Sequence, residues 1–249
     1  MPSCPQIYAE NLLRVRARIL AGTTRAGRKP DSVTLLAVSK GQSAEAVREF
    51  ARLGLKDFGE NYLQEALAKL DAVADPSLRW HFIGPVQSNK TAAIAARFDW
   101  VHTVDRLRVA ERLSAQRPHY APPLQVCLQV KLGSEPSKSG VLPADLPDLA
   151  EGVARLPRLA LRGLMCLPPF ETDRERQHHW FAELGLLADT LRRRGLVLDT
   201  LSMGMSGDLE AAIDAGSTLL RIGTALFGRR TPVAGSISTR ETGVADEGS

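Results

Sequence analysis

Apolar and polar positions change period along this chain, and the changes divide it into elements. From Gln6 to Ala26, apolar residues recur at helical spacing, with Ile7, Leu12, Leu13, Val15 and Ile19 forming a stripe. Gly27 and Pro30 close that helix. Beyond it, short apolar runs alternate with amphipathic stretches. The runs predict strands over 34–40, 56–61, 80–86, 100–105, 124–131, 161–169, 200–204 and 219–228. The stretches between them predict helices over 43–54, 62–74, 88–98, 106–116, 144–156, 174–195 and 207–216. Several strands are continuously apolar, as strands buried on both faces are. Eight strands alternating with helices point to an α/β protein, a single (β/α)8 TIM barrel with an extra N-terminal helix over one end or flank. Residues 1–230 form the barrel in this reading, and the polar, Gly/Ser/Thr-rich stretch 231–249 is expected to be a disordered tail.

Composition narrows the function classes. The 249 residues are 44% hydrophobic and 24% charged, the balance of an ordinary globular domain. Net charge is +4, aromatics are 5%, and the basic runs Arg192–Arg194 and Arg229–Arg230 are short. Nucleic-acid binding is therefore not expected. No apolar run approaches the ~20 residues of a membrane-spanning helix, and the N-terminus lacks the pattern of a signal peptide. Cys4, Cys127 and Cys166 match neither a zinc site nor a CxxC pair, so a cytoplasmic location is the default. His178 and His179 are adjacent on a helix and cannot act as an i, i+4 metal pair. His102 and His119 carry no partner signal, and no carboxylate pair suggests acid/base work.

In a barrel of this kind the chemistry lies at the C-terminal ends of the strands. The first strand closes on Lys40, in TLLAVSK, where partial burial would lower an ammonium pKa and free the amine to attack an aldehyde. A rim lysine reaching solvent is the plainer alternative. Strand seven leads through Ser202, Gly204, Ser206 and Gly207 into a helix, and strand eight carries Gly223 and Thr224. Loops seven and eight are where such barrels hold phosphate, although Gly and Ser also serve simply as caps. Asp208, in the first turn of that helix, is expected to face solvent. Arg221 sits inside the apolar eighth strand. It needs a partner there, either a ligand's pyridine nitrogen or a strand acid such as Glu60. A permanent cation beside that nitrogen would keep it unprotonated and weaken the ring as an electron sink. A lysine amine, a phosphate cup and this arginine together suggest pyridoxal 5'-phosphate.

The stretches LLAVSK, FGENYLQE, WHFIGPVQSNK, VHTVD, SEPSKSG, RGLMCLPP and LSMGMSGDLEAAIDAGSTLLRIGTALFG occur here in that order. Through them the chain, from about Ile7 to Gly228, resembles the pyridoxal phosphate homeostasis protein family, whose barrel is similar to the N-terminal domain of alanine racemases. The resemblance implies a fold-type III barrel without the racemases' C-terminal β-domain, and pyridoxal 5'-phosphate held on Lys40 as a Schiff base. It implies that Ser206, Gly223 and Thr224 hold the phosphate, that Arg221 faces the pyridine nitrogen, and that Asn61, His81 and Met203 line the ring pocket. Val86 and Lys131 depart from the family pattern, which has leucine and asparagine there. Lys131 is read as a rim residue, and Lys138 as a solvated loop lysine. The implied role is intracellular homeostasis of the cofactor. The protein would hold it reversibly and release or transfer it, with apoenzymes that depend on the cofactor as partners. The second base of a racemase would come from a further domain, so a monomeric carrier without catalytic residues is the primary expectation. A slow amino-acid racemase is the alternative.

Overall fold

The computed structural model describes residues 3–133, 135 and 139–228. Eight parallel strands close into a barrel in sequence order, each pairing with the next and β8 returning to β1. The strands are β1 Thr34–Val38, β2 Asp57–Glu60, β3 Arg79–Phe82, β4 Trp100–Val104, β5 Leu124–Val130, β6 Leu159–Cys166, β7 Thr200–Ser202 and β8 Leu219–Ile222. The helices are α1 Cys4–Arg25, α2 Ala44–Arg52, α3 Leu63–Val73, α4 Thr91–Arg97, α5 Leu107–Gln116, α6 Leu146–Ala154, α7 Arg174–Arg193, α8 Leu209–Asp214 and α9 Thr224–Phe227. The α/β barrel expected from the alternation is the architecture observed.

The differences lie at strand ends. The apolar run 219–228 is not one strand. It stops at Ile222, and Thr224–Phe227 turns into α9. Buried strands and buried helical turns are both continuously apolar, so periodicity does not separate them. Strands two, three and seven are also shorter than their runs. Each stops where its chain leaves the ladder for the mouth. The segment 88–98 divides into a 3-10 turn, Ser88–Lys90, followed by α4.

Helix α1 covers a flank. Its N-terminus is closed by the Gln6 side chain, which accepts the Ser3 N–H at 2.8 Å. Leu12, Val15, Ile19 and Gly22 are buried, but Ile7 and Leu13, placed on the apolar stripe by the sequence reading, are exposed. The buried face lies against α8 and α9. Arg18 pairs with Glu210 at 2.7 Å, Arg25 with Asp214 at 2.8 Å, and Asn11 Nδ2 donates to the Leu226 carbonyl at 2.8 Å. The helix thus braces the two last βα units, whose loops build one side of the barrel mouth.

Between barrel wall and helices lies an ordinary apolar core, with Phe50, Phe58, Ile94, Leu113 and Phe181 fully buried. The barrel interior is different. Asp57, His81, His102, Ser202 and Arg221 are all buried there, where branched apolar side chains would be usual. Buried polar groups persist only when hydrogen-bonded, so this interior is a network and not a packed layer. Among the described residues, no helix is long and apolar enough to cross a membrane. The expected tail, 231–249, lies outside the described residues.

Candidate functional site

Lys40 stands two residues past the end of β1, at the C-terminal mouth. The backbone carrying it is held from below. Ser39 N–H donates to the Gly59 carbonyl at 2.9 Å, and Ser39 Oγ donates to Glu60 Oε1 at 2.6 Å. Lys69, on α3, extends under the same turn. Its Nζ donates to the Ser39 carbonyl at 2.7 Å, to Glu60 Oε1 at 2.6 Å and to Glu65 Oε1 at 2.9 Å. Glu65 in turn accepts the Gly41 N–H at 2.5 Å. Burial pushes the Glu60 carboxyl up, against the pull of Lys69 and Ser39 toward the charged form. The sequence reading did not single out Lys69. Its signal was the i, i+4 spacing from Glu65 on a predicted helix.

Beside Lys40, after β8, which pairs with β1, and after β7, which pairs with β8, the last two βα turns meet. Gly204 adopts φ +97°, a left-handed conformation open chiefly to glycine, and a Cβ there would lie 2.6 Å from both Ala212 Cβ and Leu220 Cδ2. Its carbonyl accepts the Arg221 N–H at 3.0 Å, fixing the turn to β8. Two residues on, Ser206 Oγ accepts the Ala225 N–H at 3.3 Å, and Arg18 from α1 donates to the Ser206 carbonyl at 3.1 Å. Asp208 does not simply face solvent. Its carboxylate accepts the Met205 N–H at 2.5 Å, and burial pushes its pKa up.

Lys40, Asn61, Ser206, Arg221, Gly223 and Thr224 line a single cavity of about 370 Å³, together with Val38, Gln42, Ile83, Leu167, Met205 and Gly207. That is the size of a small-ligand site, apolar walls with a few convergent polar groups. Lys40 and Arg221 are the ionisable side chains among the lining residues.

Arg221 is buried and held on one side by three hydrogen bonds. Nη1 donates to the Ser202 carbonyl at 2.5 Å and to Ser202 Oγ at 2.8 Å, and Nη2 donates to the Cys166 carbonyl at 2.8 Å. Burial pushes the guanidinium pKa down. The strand acid considered as an alternative partner, Glu60, is bound to Lys69 instead. Asn61 leaves its Oδ1 buried with no hydrogen-bond partner. The Asn61 backbone is pinned by Gly84, where any Cβ would come within 2.0 Å of the Asn61 carbonyl oxygen. A buried amide oxygen without a partner is costly, and a polar ligand in this cavity would relieve it. Together, an amine at the rim, hydroxyls and glycines on the neighbouring turns, and a fixed cation below fit a small aldehyde with an anionic tail.

Two residues expected in the ring pocket are not among its lining. His81 is the third residue of β3 and lies deeper, bonded to Asp57 and His102. Side chains two apart share a face of a strand, and it is Ile83 that reaches the cavity. Met203 is fully buried and follows inward-facing Ser202, so alternation turns it away from the barrel interior. His102, given no partner by sequence, bonds to His81 and Ser202. Lys131 is half-buried outside the cavity lining, with its N–H on the Val141 carbonyl at 2.9 Å. Lys138 lies outside the described residues. No group of three potential metal ligands occurs among the described residues. Cys127 and Cys166 are buried.

Residues 11–231 match the family model described as the alanine racemase N-terminal domain. The chain is 60% identical over 222 residues to a pyridoxal phosphate homeostasis protein of Pseudomonas aeruginosa, covering 89% of this chain and 95% of that one. It is 50% identical over 225 residues to the protein of the same name from Escherichia coli, covering 89% and 96%. Among solved structures, PipY of Synechococcus elongatus with pyridoxal phosphate bound superposes with TM-score 0.79 at 38% identity, covering 89% of this chain and 100% of that one. Alanine racemase from Corynebacterium glutamicum, at 19% identity and TM-score 0.66, shares the fold over 94% of this chain and 63% of its own.

Proposed function

Because this chain belongs to the pyridoxal phosphate homeostasis protein family, we propose that it binds pyridoxal 5'-phosphate in the mouth cavity and holds it for release or transfer. The observation that carries the reading is the convergence of Lys40, from the end of β1, with Ser206, Gly223 and Thr224, from the last two βα turns, on one cavity floored by Arg221. The cofactor brings an aldehyde, a phosphate tail and a pyridine nitrogen. Lys40 Nζ would condense with the aldehyde carbon, the aldehyde oxygen leaving as water. Ser206, Gly223 and Thr224 bind the phosphate, and Arg221 donates toward the ring nitrogen, a permanent cation that leaves that nitrogen unprotonated. Asn61 offers its amide to a polar ring substituent. The barrel, residues 1–230, acts as a monomer, a reading supported by the described residues of one chain lining the cavity. With its free cysteines it works in the cytoplasm, and apoenzymes that use the cofactor are its recipients.

The described lining favours holding over turnover. Among the described lining residues, Lys40 and Arg221 are the ionisable side chains, and Arg221 stays charged. A racemase needs a second acid/base group on the opposite face of the substrate. The discriminating experiment mixes the loaded protein with an amino acid in heavy water and follows deuterium at Cα. It then adds an apoenzyme and follows recovery of that enzyme's activity. Recovery without catalytic deuterium uptake is the expected result. Many turnovers of Cα exchange per protein would establish an enzyme instead.

A further inference from the structure

A continuous chain of hydrogen bonds runs through the barrel axis, from its N-terminal face to the guanidinium under the cavity. At the lower end, Asp57 at the start of β2 takes a bidentate pair from Arg79, with both bonds at 2.6 Å. Asp57 Oδ1 also lies 3.0 Å from His81 Nε2. His81 Nδ1 lies 3.0 Å from His102 Nε2, and His102 Nδ1 lies 2.8 Å from Ser202 Oγ. Ser202 Oγ accepts from Arg221 Nη1 at 2.8 Å. His81, His102 and Ser202 are at most 1% exposed.

Elementary donor and acceptor rules give this chain one direction. The Asp57 carboxylate only accepts, so His81 carries its proton on Nε2 and presents a bare Nδ1. That bare nitrogen requires a proton on His102 Nε2, which leaves His102 Nδ1 bare as well. Ser202 must then donate its hydroxyl proton to His102 and turn its lone pairs to Arg221. The reverse direction would leave the Ser202 proton pointing at an arginine that only donates. A charged ring in the middle is disfavoured. Burial pushes both imidazoles toward the neutral form, His102 furthest because His81 and Arg221 adjoin it. Asp57 and Asp99 pull His81 the other way without overcoming burial, and Arg79 adds to it. Trp100 stacks on His81 at 5.4 Å, and the Arg162 guanidinium lies 5.2 Å over the Trp100 ring, closing the lower end.

We propose that His81 and His102 are positioning residues for Arg221: Asp57 sets the tautomer of both rings, and through Ser202 that setting fixes which face the guanidinium turns to the cofactor. Three of the five guanidinium N–H groups are taken up by Ser202 and Cys166. The N–H on Nε and one on Nη2 are not used by these bonds, and the ring nitrogen would draw on them. The inference rests on Arg221 facing that nitrogen. A satisfied core pair of histidines with no effect on the cofactor is the competing explanation.

The test uses the full chain labelled with 15N-histidine. Long-range proton–nitrogen correlation spectra near neutral pH report each ring's tautomer without any cofactor. Signals are assigned by their loss in His81→Asn and His102→Asn. The expected result is the Nε2–H form for both rings, and a mixture of forms for His81 in Asp57→Asn. An Nδ1–H or charged form at either ring in the parent overturns the proposal. Loading with pyridoxal 5'-phosphate gives the second readout, the absorption band of the bound cofactor and its pH midpoint. His102→Phe and Ser202→Ala are expected to move that midpoint by about half a pH unit or more, and to weaken binding about fivefold. His102→Asn, whose Oδ1 can accept from Ser202 where Nδ1 did, is expected to restore both. If Arg221→Leu moves the band while a folded His102→Phe or Ser202→Ala does not, the relay is wrong and the ring contact stands. If Arg221→Leu also leaves the band unmoved, the ring contact fails and the proposal fails with it.

Discussion

Lys69 Nζ lies 2.7 Å from the carbonyl oxygen of Ser39, the residue immediately before Lys40. One buried lysine on α3 thus supports the turn that carries Lys40 just past β1, and the Glu60 carboxylate joins them, 2.6 Å from both Lys69 Nζ and Ser39 Oγ. Removing one member of a buried pair leaves an uncompensated charge, a loss of about 3 kcal/mol. Lys69→Met should therefore lose that much stability in urea unfolding and also bind the cofactor more weakly. Glu60→Gln in the same chain should recover part of the stability, because it removes the stranded carboxylate. An unchanged unfolding midpoint in Lys69→Met would contradict this.

The phosphate cup can be tested by charge. Ser206→Asp places a carboxylate where Ser206 and Thr224 line the cavity. Like charges would then meet at short range, and binding of pyridoxal 5'-phosphate should fall at least about tenfold, or 1.4 kcal/mol. Pyridoxal, which has no phosphate, should bind as it does to the parent. Equal losses for both ligands, measured by absorbance titration, would place the phosphate elsewhere.

Gly204 carries a conformational constraint on that cup. With φ at +97° and the nearest heavy atoms 2.6 Å from a Cβ position, Gly204→Ala meets both strain and overlap. Stability should fall by more than about 1 kcal/mol, and cofactor affinity should fall too, because the turn places Ser206. Thermal unfolding with and without cofactor measures both.

Asp57 ties stability to acid. Burial pushes its carboxyl up, but the bonds from His81 and Arg79 together outweigh burial and bring it down to about 2 from an ordinary 3.8. A depressed carboxylate contributes its stability above the ordinary value and loses it as pH falls toward the folded one. The contribution is about 2 kcal/mol. Stability measured from pH 3.8 down to about 2 should decline less steeply in Asp57→Asn than in the parent. Parallel slopes would show that the carboxylate is not held down.

Much of this architecture was legible in the sequence because both of its periods were strong. Apolar runs alternating with amphipathic helices imply a barrel, and the barrel rule then sends attention to Lys40, Ser206, Gly223 and Thr224. Strand ends were less legible, since the run through Leu226 stays apolar while the backbone leaves the sheet at Gly223. The depth of a residue along its strand was not legible either. His81 and Ile83 share a face, and only the register shows which of them reaches the mouth. The pairing of His81 with His102 joins neighbouring strands across an interior, and no local pattern in the sequence encodes it. Lys69 was overlooked because a lysine on an amphipathic helix reads as solvated.

The central claim is a covalent bond between Lys40 and the cofactor's aldehyde carbon. Borohydride treatment of the loaded protein, followed by intact mass and peptide mapping, tests it directly. One added pyridoxyl phosphate mass, found on the peptide containing Lys40 and absent from Lys40→Ala, is the expected result. Modification found instead on Lys69, Lys131 or another lysine, or retained in Lys40→Ala, would contradict the account.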